Sequence, residues 1–469
     1  MIFEPIPTTE KPERKTEKDT AFDTARDVAA EAKARSVADD VAALKPAHRY
    51  DVHIWGVYIM LCIISMVELY SASSREISAT NIYAPLLRHV MHLLTGFFII
   101  VALQRVHYRK FFAATPWIVF GSLVAMVYTL INGDYINGAK RSFSIVIMRV
   151  QPAEFLKFSA VLLVAYVLCK SSRPDRRHIE SWRVSLCAAV VGIFGGLLFF
   201  QGLTNTLLLM AISLSMMFVA SVSWKKMGII LLVFGMLGGI GYIYKKVTLK
   251  DADKPKVEQV GPNGGTVEVA EQGTKSVNRA GVWNSRMSNF LRFDKYKDTI
   301  RDYNAQEQYS YIAQAHGGVF GVGPGNSRET SRLSLAFSDY IYAIVVEEGG
   351  LLFGLFVMIL YMWLITRAST LAYKCNLVYP ALLMLGMAVF IVIQALFHMA
   401  IVTGAFPVSG QPLPLISKGG TSIIVTSVAF GIMLSVSRHA LQEGNRQQIK
   451  SDISALPEDL RSINPSQDH

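Results

Sequence analysis

The chain has 469 residues, of which 52% are hydrophobic and only 17% charged, with a mean hydropathy of +0.34; a soluble globular protein carries about 25% charged residues. Its net charge of +11 does not sit in the tails, because residues 1–50 hold nine Lys/Arg against ten Asp/Glu and the stretch from Arg438 onward holds four against five. A soluble domain and a nucleic-acid-binding arm are therefore excluded, and the positive excess falls on loops and helix ends, where it suits lipid headgroups or an anionic lipid-linked substrate.

Residues 1–50 are rich in Glu, Lys, Thr and Asp, lack the pattern of a cleavable signal peptide and predict a disordered cytoplasmic tail. Apolar runs then recur at a length able to cross a bilayer. The predicted spans are 52–70, 86–104, 112–131, 153–169, 184–200, 203–221, 227–244, 338–365, 378–403 and 420–437. This is an all-α polytopic membrane protein with ten transmembrane helices, a membrane domain over 51–438 and a C-terminal tail over 439–469. One set of short loops carries twelve Lys/Arg and the other six. Since positive charge resists translocation, both termini are expected in the cytoplasm, and the large loop 245–337 between helices 7 and 8 is expected outside. Its first half, 250–275, is polar and rich in Gly and Pro, whereas Trp283 to Tyr311 is aromatic and charged and should fold onto the membrane face. The four cysteines, Cys62, Cys169, Cys187 and Cys375, have no metal or redox spacing.

Ionisable residues inside apolar spans are costly and mark sites. Glu154 and Lys157, three apart on one helical face, can pair with each other or contact substrate. Glu347 and Glu348 point about 100° apart, so at least one must face an interior cavity or a cation. Asp339 opens the eighth span, and His398 lies within the ninth. The segment 318–327 has a loose Gly-x-Gly-x-x-Gly spacing but no βαβ context, which rules out a dinucleotide site. The prolines and glycines of 407–422 read as a re-entrant loop or as a plain connection. No HExxH, Walker A, Gly-x-Ser-x-Gly or zinc cluster is present. Residue chemistry alone gives one face bearing Arg141, Arg149, Arg286 and Lys418 with several carboxylates, and leaves an enzyme and a lipid transporter equally open.

A set of motifs, in order, goes further. These are Tyr70-Ser71-Ala72-Ser73, Asn137-Gly138-Ala139-Lys140-Arg141, Gln151-Pro152-Ala153-Glu154 with Lys157, the block Ala315 to Gly349, and Pro407 to Ser417 followed by Gly419-Gly420-Thr421-Ser422. From about Tyr70 to Arg438 the chain resembles the SEDS family of bacterial cell-wall polymerases, its division branch more than its elongation branch. Departures are the absence of an acid in Gln201-Gly202-Leu203-Thr204-Asn205-Thr206, Lys418 in place of a usual Tyr, and Phe337-Ser338 before Asp339.

The resemblance implies a peptidoglycan glycosyltransferase that polymerises lipid II with inversion and loss of undecaprenyl pyrophosphate. An elongation-type polymerase, a non-enzymatic lipid II flippase and a pure divisome scaffold are the competing readings. It implies a catalytic carboxylate in the external loop, where Asp294, Asp298 and Asp302 are candidates. Counting from the flanking motifs gives Thr299 in one direction and Tyr296 in the other, and Asp298 lies between; composition alone would read Asp298 as a solvated charge beside Lys295, Lys297 and Arg301. Substrate contacts are expected from Lys140, Arg141, Arg149, Gln151, Glu154, Lys157, Arg286, Asp339, Glu348, Ser417 and Lys418. No cofactor is required beyond a divalent cation, Mg or Mn, that a pyrophosphate leaving group invites. The expected partners are a class B penicillin-binding transpeptidase (FtsI-like), other divisome proteins, lipid II and membrane lipids, with no nucleic acid. The expected place is the bacterial cytoplasmic membrane at the septum.

Overall fold

The computed structural model describes residues 50–72, 84–136, 139–145, 148–169, 181–236, 239, 286–288, 290–292, 296, 300–301, 304–333, 336–375 and 377–454. The predicted N-terminal tail, the 250–275 loop, Ser73, the Asn137-Gly138 pair and all three candidate aspartates, Asp294, Asp298 and Asp302, lie outside them.

Among the described residues, eight helices are long and apolar enough to span a membrane. In chain order they are α1 (Val52–Ala72), α2 (Ala84–Leu103), α3 (Tyr108–Asn132), α4 (Pro152–Cys169), α5 (Ser181–Gln201), α9 (Ile341–Tyr373), α10 (Val378–Val402) and α11 (Gly420–Ser454). The shorter apolar α6 (Leu203–Val219) and the helix over 224–236, α7, fall on the sixth and seventh predicted spans. Helix α8 (Ala305–Gly317) is polar and amphipathic and precedes α9. Tyr50–Ala440 form one compact unit.

Burial ranks the helices. The apolar windows of α4, α10 and α11 are 78, 72 and 83% buried, whereas those of α2 and α3 are 22 and 28%. The first three make the centre, and the outer helices present Phe97, Phe98, Trp117 and Phe120 outward, as a lipid-facing surface requires.

Hydropathy does not announce a three-stranded antiparallel meander between α3 and α4, formed by β1 (Asp134–Ile136), β2 (Ala139–Ile145) and β3 (Met148–Val150). Phe143 pairs with Val150 and Ser144 with Arg149. The sheet is tied to the start of α11, because Thr421 Oγ1 donates to the Arg149 carbonyl at 2.9 Å and accepts from the Gln151 N–H at 3.2 Å. It marks one end of the bundle, called the sheet end below.

Helix α9, about 50 Å long, is broken at Gly350, which has φ +76°. The freed backbone groups are taken up by the glycine-rich turn after α8. Leu351 N donates to Gly318 O at 2.9 Å, and Val322 and Gly323 N donate to Glu347 and Glu348 O at 3.0 and 2.9 Å. A Cβ on Gly350 would lie 2.3 Å from Val319 O. Gly350→Ala therefore meets both a left-handed backbone and a backbone clash, and should destabilise by at least about 1–3 kcal/mol. Heating followed by fluorescence-detected size exclusion should show an earlier loss of the monodisperse peak.

The segment after α10 is not a surface connection. Leu413, Leu415, Ile416 and Ser417 are buried, Tyr361 of α9 donates its hydroxyl to Pro414 O at 2.5 Å, and Leu415 is held at φ +65°. It re-enters the bundle, where irregular backbone is tolerated because protein surrounds it.

Candidate functional site

Two polar systems lie in and above the bundle. The deeper one is built on Glu154 and Lys157, one turn apart at the start of α4, where Pro152 occupies the first helical position and needs no N–H partner. Their side chains are 4% and 0% exposed and meet at 2.7 Å. Lys157 Nζ also reaches Gln411 Oε1 at 3.5 Å, Gln394 Nε2 donates to Glu154 Oε2 at 3.0 Å, and Gln411 Nε2 donates to Asn205 Oδ1 at 3.0 Å. His398 Nδ1 lies 2.6 Å from Gln411 O. The network joins α4, α6, α10 and the re-entrant segment and fixes these elements to one another.

Above it, at the sheet end, Asp339 precedes α9 and accepts from Ser338 Oγ at 2.9 Å. Gly410 lies so close that a Cβ there would stand 2.7 Å from Asp339 Oδ2. Burial raises the Asp339 carboxyl above the usual range, while the Ser338 hydrogen bond and the Arg141 and Arg286 guanidinium groups pull it back down. Arg286 Nη1 donates to Val408 O at 3.2 Å, and Arg141 approaches the α5–α6 junction, where a Cβ on Gly202 would be 3.9 Å from its Nη2. Leu203, where the resemblance expects an acid, follows that glycine. Among the described residues, Asp339 is a carboxylate that faces Arg141.

The other expected residues divide. Lys418 Nζ sits 4.7 Å from the Phe337 ring centroid, and its N–H donates to Phe337 O at 2.9 Å. Ser417 is buried and donates to Ser338 O at 2.7 Å, which makes it a strap between the re-entrant segment and the start of α9. Arg149 and Gln151 are exposed at the sheet, and Lys140 donates to Ile131 O.

Glu347 and Glu348 are both buried. Glu347 accepts from Ser327 Oγ at 2.5 Å and from the Arg328 N–H at 3.0 Å, and lies 2.9 Å from His316 Nδ1. It fastens the glycine-rich turn to α8 and α9. Glu348 accepts from Ser71 Oγ and faces Glu68 of α1. Sequence reasoning passes over Asn205, Gln394, Gln411, His316 and Glu68 as site residues; of these, Gln394 and Glu68 are polar side chains within apolar runs, a signal that would have found them. Among the described residues no group of three or more His, Cys, Asp or Glu gathers as a metal cage.

The family model of cell cycle proteins of the FtsW, RodA and SpoVE type matches residues 51–260 and 272–442. The chain belongs to this family. Its similar relatives include a probable peptidoglycan glycosyltransferase FtsW of Bacillus subtilis, 26% identical over 86% of this chain and 94% of that one. A protein of the same name from Trichlorobacter lovleyi is 27% identical over 83% of this chain and 93% of that one. A peptidoglycan synthase complex solved for its coordination of polymerization and crosslinking contains a chain 21% identical, with a TM-score of 0.60 over 84% of this chain and 99% of that one. The rod shape determining protein RodA of Thermus thermophilus gives a TM-score of 0.55 at 21% identity, over 83% and 97%. These structures carry the SEDS fold to this multi-pass membrane protein.

Proposed function

We propose that the chain is a peptidoglycan glycosyltransferase, the activity for which its relatives are named, and that it polymerises lipid II during septal wall synthesis. The observation that carries this reading is the cationic end of the bundle, where Arg141 and Arg286 face Asp339 beside the re-entrant segment. In the reaction the acceptor's 4-hydroxyl oxygen attacks the anomeric carbon of the growing strand. The bond to undecaprenyl pyrophosphate breaks with its electron pair, and the hydroxyl proton passes to a carboxylate, assigned to Asp298. One displacement inverts α to β, so a single base on the nucleophile's side suffices, as in inverting glycosidases. Arg141, Arg149, Lys140, Arg286 and Lys418 offer positive charge to the departing pyrophosphate.

The partner in this reading is a class B penicillin-binding transpeptidase with a single span. The outward apolar ridge of α9, with Leu352, Phe356, Ile359 and Trp363 exposed, suits a transmembrane helix. In this reading both termini lie in the cytoplasm, a topology the excess of positive charge in one set of loops supports. The test is incubation of purified protein with labelled lipid II, with and without the co-purified transpeptidase. Glycan polymer supports the reading, and lipid II moved across a vesicle without polymer points to a flippase.

A pH prediction follows from Asp339. Arg286→Gln removes one of the cations that oppose burial, so the carboxyl titrates at higher pH. The acid limb of the polymerisation profile should therefore move upward in pH. An unmoved or lowered limb would show that Asp339 is not the group being titrated.

A further inference from the structure

A groove of about 610 Å³ lies between α5 and α7, far from the site above. It is lined on α5 by the small residues Ser185, Ala188, Ala189 and Gly192 and on α7 by Ile230 and Phe234. Helix α5 runs from Ser181 to the junction near Arg141, so the Ser181 mouth of the groove is at the end opposite the sheet. From Ser181 to Ile193 it extends about 18 Å, which is close to half of a hydrocarbon core about 30 Å thick. That is the depth of one leaflet.

The mouth is charged. Lys226 Nζ donates to Ser181 Oγ at 2.8 Å, which leaves two of its three N–H donors for a ligand. Lys225 precedes it, and among the described residues no carboxylate pairs with either lysine. Trp182 and Trp224, 61% and 73% exposed, stand at the same level, where indole rings favour the headgroup interface. An apolar slot one leaflet deep, closed at its interfacial end by an ammonium and a hydroxyl, has the chemistry of a single acyl chain beneath a phosphate.

We propose that this groove binds an anionic glycerophospholipid of the leaflet on the side of the termini, with an acyl chain along Ala188, Ala189 and Gly192 and its phosphate on Lys226 and Ser181. The inference rests on the membrane fold and is independent of the polymerase reading.

The purified full chain, with equal amounts of phosphatidylglycerol and phosphatidylcholine added in detergent, would be measured by native mass spectrometry. Wild type should retain phosphatidylglycerol in preference. A basic side chain near the surface is worth about a fivefold change in anionic-lipid binding, so Lys226→Gln should lose that factor for phosphatidylglycerol and less for phosphatidylcholine, whose choline ammonium offsets its phosphate, and Lys226→Arg should keep it. Ala189→Phe, which fills the slot, should lose both lipids; should it fail to fold, Lys226→Gln decides alone. Equal retention of the two lipids by wild type, or a Lys226→Gln chain that still prefers phosphatidylglycerol, overturns the proposal. So does a wild-type dimer that Ala189→Phe splits, since the groove would then hold a second copy.

Discussion

Lys157→Met should cost this protein more stability than any other single change among its described side chains. The ammonium is fully buried against the Glu154 carboxylate at 2.7 Å, with Gln411 as its second partner. Removing it leaves Glu154 as a charge in the bundle centre with only Gln394 to satisfy it. Breaking a buried pair from one side costs about 3–5 kcal/mol, whereas replacing both partners by apolar groups of similar size is often neutral. Lys157→Met should therefore lower the midpoint of thermal inactivation in detergent strongly. Glu154→Gln should do less, because the amide can still bond Gln394, and Glu154→Leu with Lys157→Met should recover part of the loss. If the single and double variants melt alike, the Glu154 left behind costs nothing and Gln394 must be satisfying it. Activity separates stability from organisation: a double variant that folds but makes no glycan shows that the pair positions the re-entrant segment through Gln411.

How far the sequence reached depends on the length scale of its signals. A span is announced by twenty residues at once, so α1 to α5 and α9 to α11 fall where hydropathy puts them. Helix α7 is described only over 224–236 of the expected 227–244. The sheet is different: seven residues at most form a strand, and hydropathy leaves them in the gap between two spans, although Asn137-Gly138 is a strong hairpin signal. Glu154 and Lys157 were legible because their spacing puts them on one face. Their partners Gln394 and Gln411 come from 240 and 254 residues away in the chain, and no local pattern links them. Glu347 was legible as a buried charge, but its role was not, since only the folded glycine-rich turn brings Ser327 and His316 to it. The positive φ values at Gly321, Gly323 and Gly325 explain that glycine run as turn geometry.

Asp298→Asn should abolish polymerisation while leaving the protein folded and able to bind lipid II and its transpeptidase. A base acting on a sugar hydroxyl contributes about 10² to 10⁴ in rate, and the amide cannot accept that proton while keeping the side chain's shape. The stretch that carries Asp298 is bounded by groups anchored on the rest of the bundle. Tyr296 donates to Thr403 O at 3.4 Å and packs on Tyr311 with ring centroids 4.8 Å apart, and the Asn304 side chain accepts from the Arg301 N–H at 2.7 Å. Tyr296, two residues before Asp298, is thus held at the corner from which the re-entrant segment departs, whereas the Arg301–Asn304 contact is local to the start of α8. The controls are Asp294→Asn and Asp302→Asn, measured as initial rates of glycan formation from labelled lipid II. Rates near wild type for both, with a loss of at least about a hundredfold for Asp298→Asn, assign the base. Loss in Asp294→Asn or Asp302→Asn instead moves the assignment by four residues of register. Full activity in all three removes the carboxylate base from the mechanism and leaves the cations around Asp339 to account for the rate.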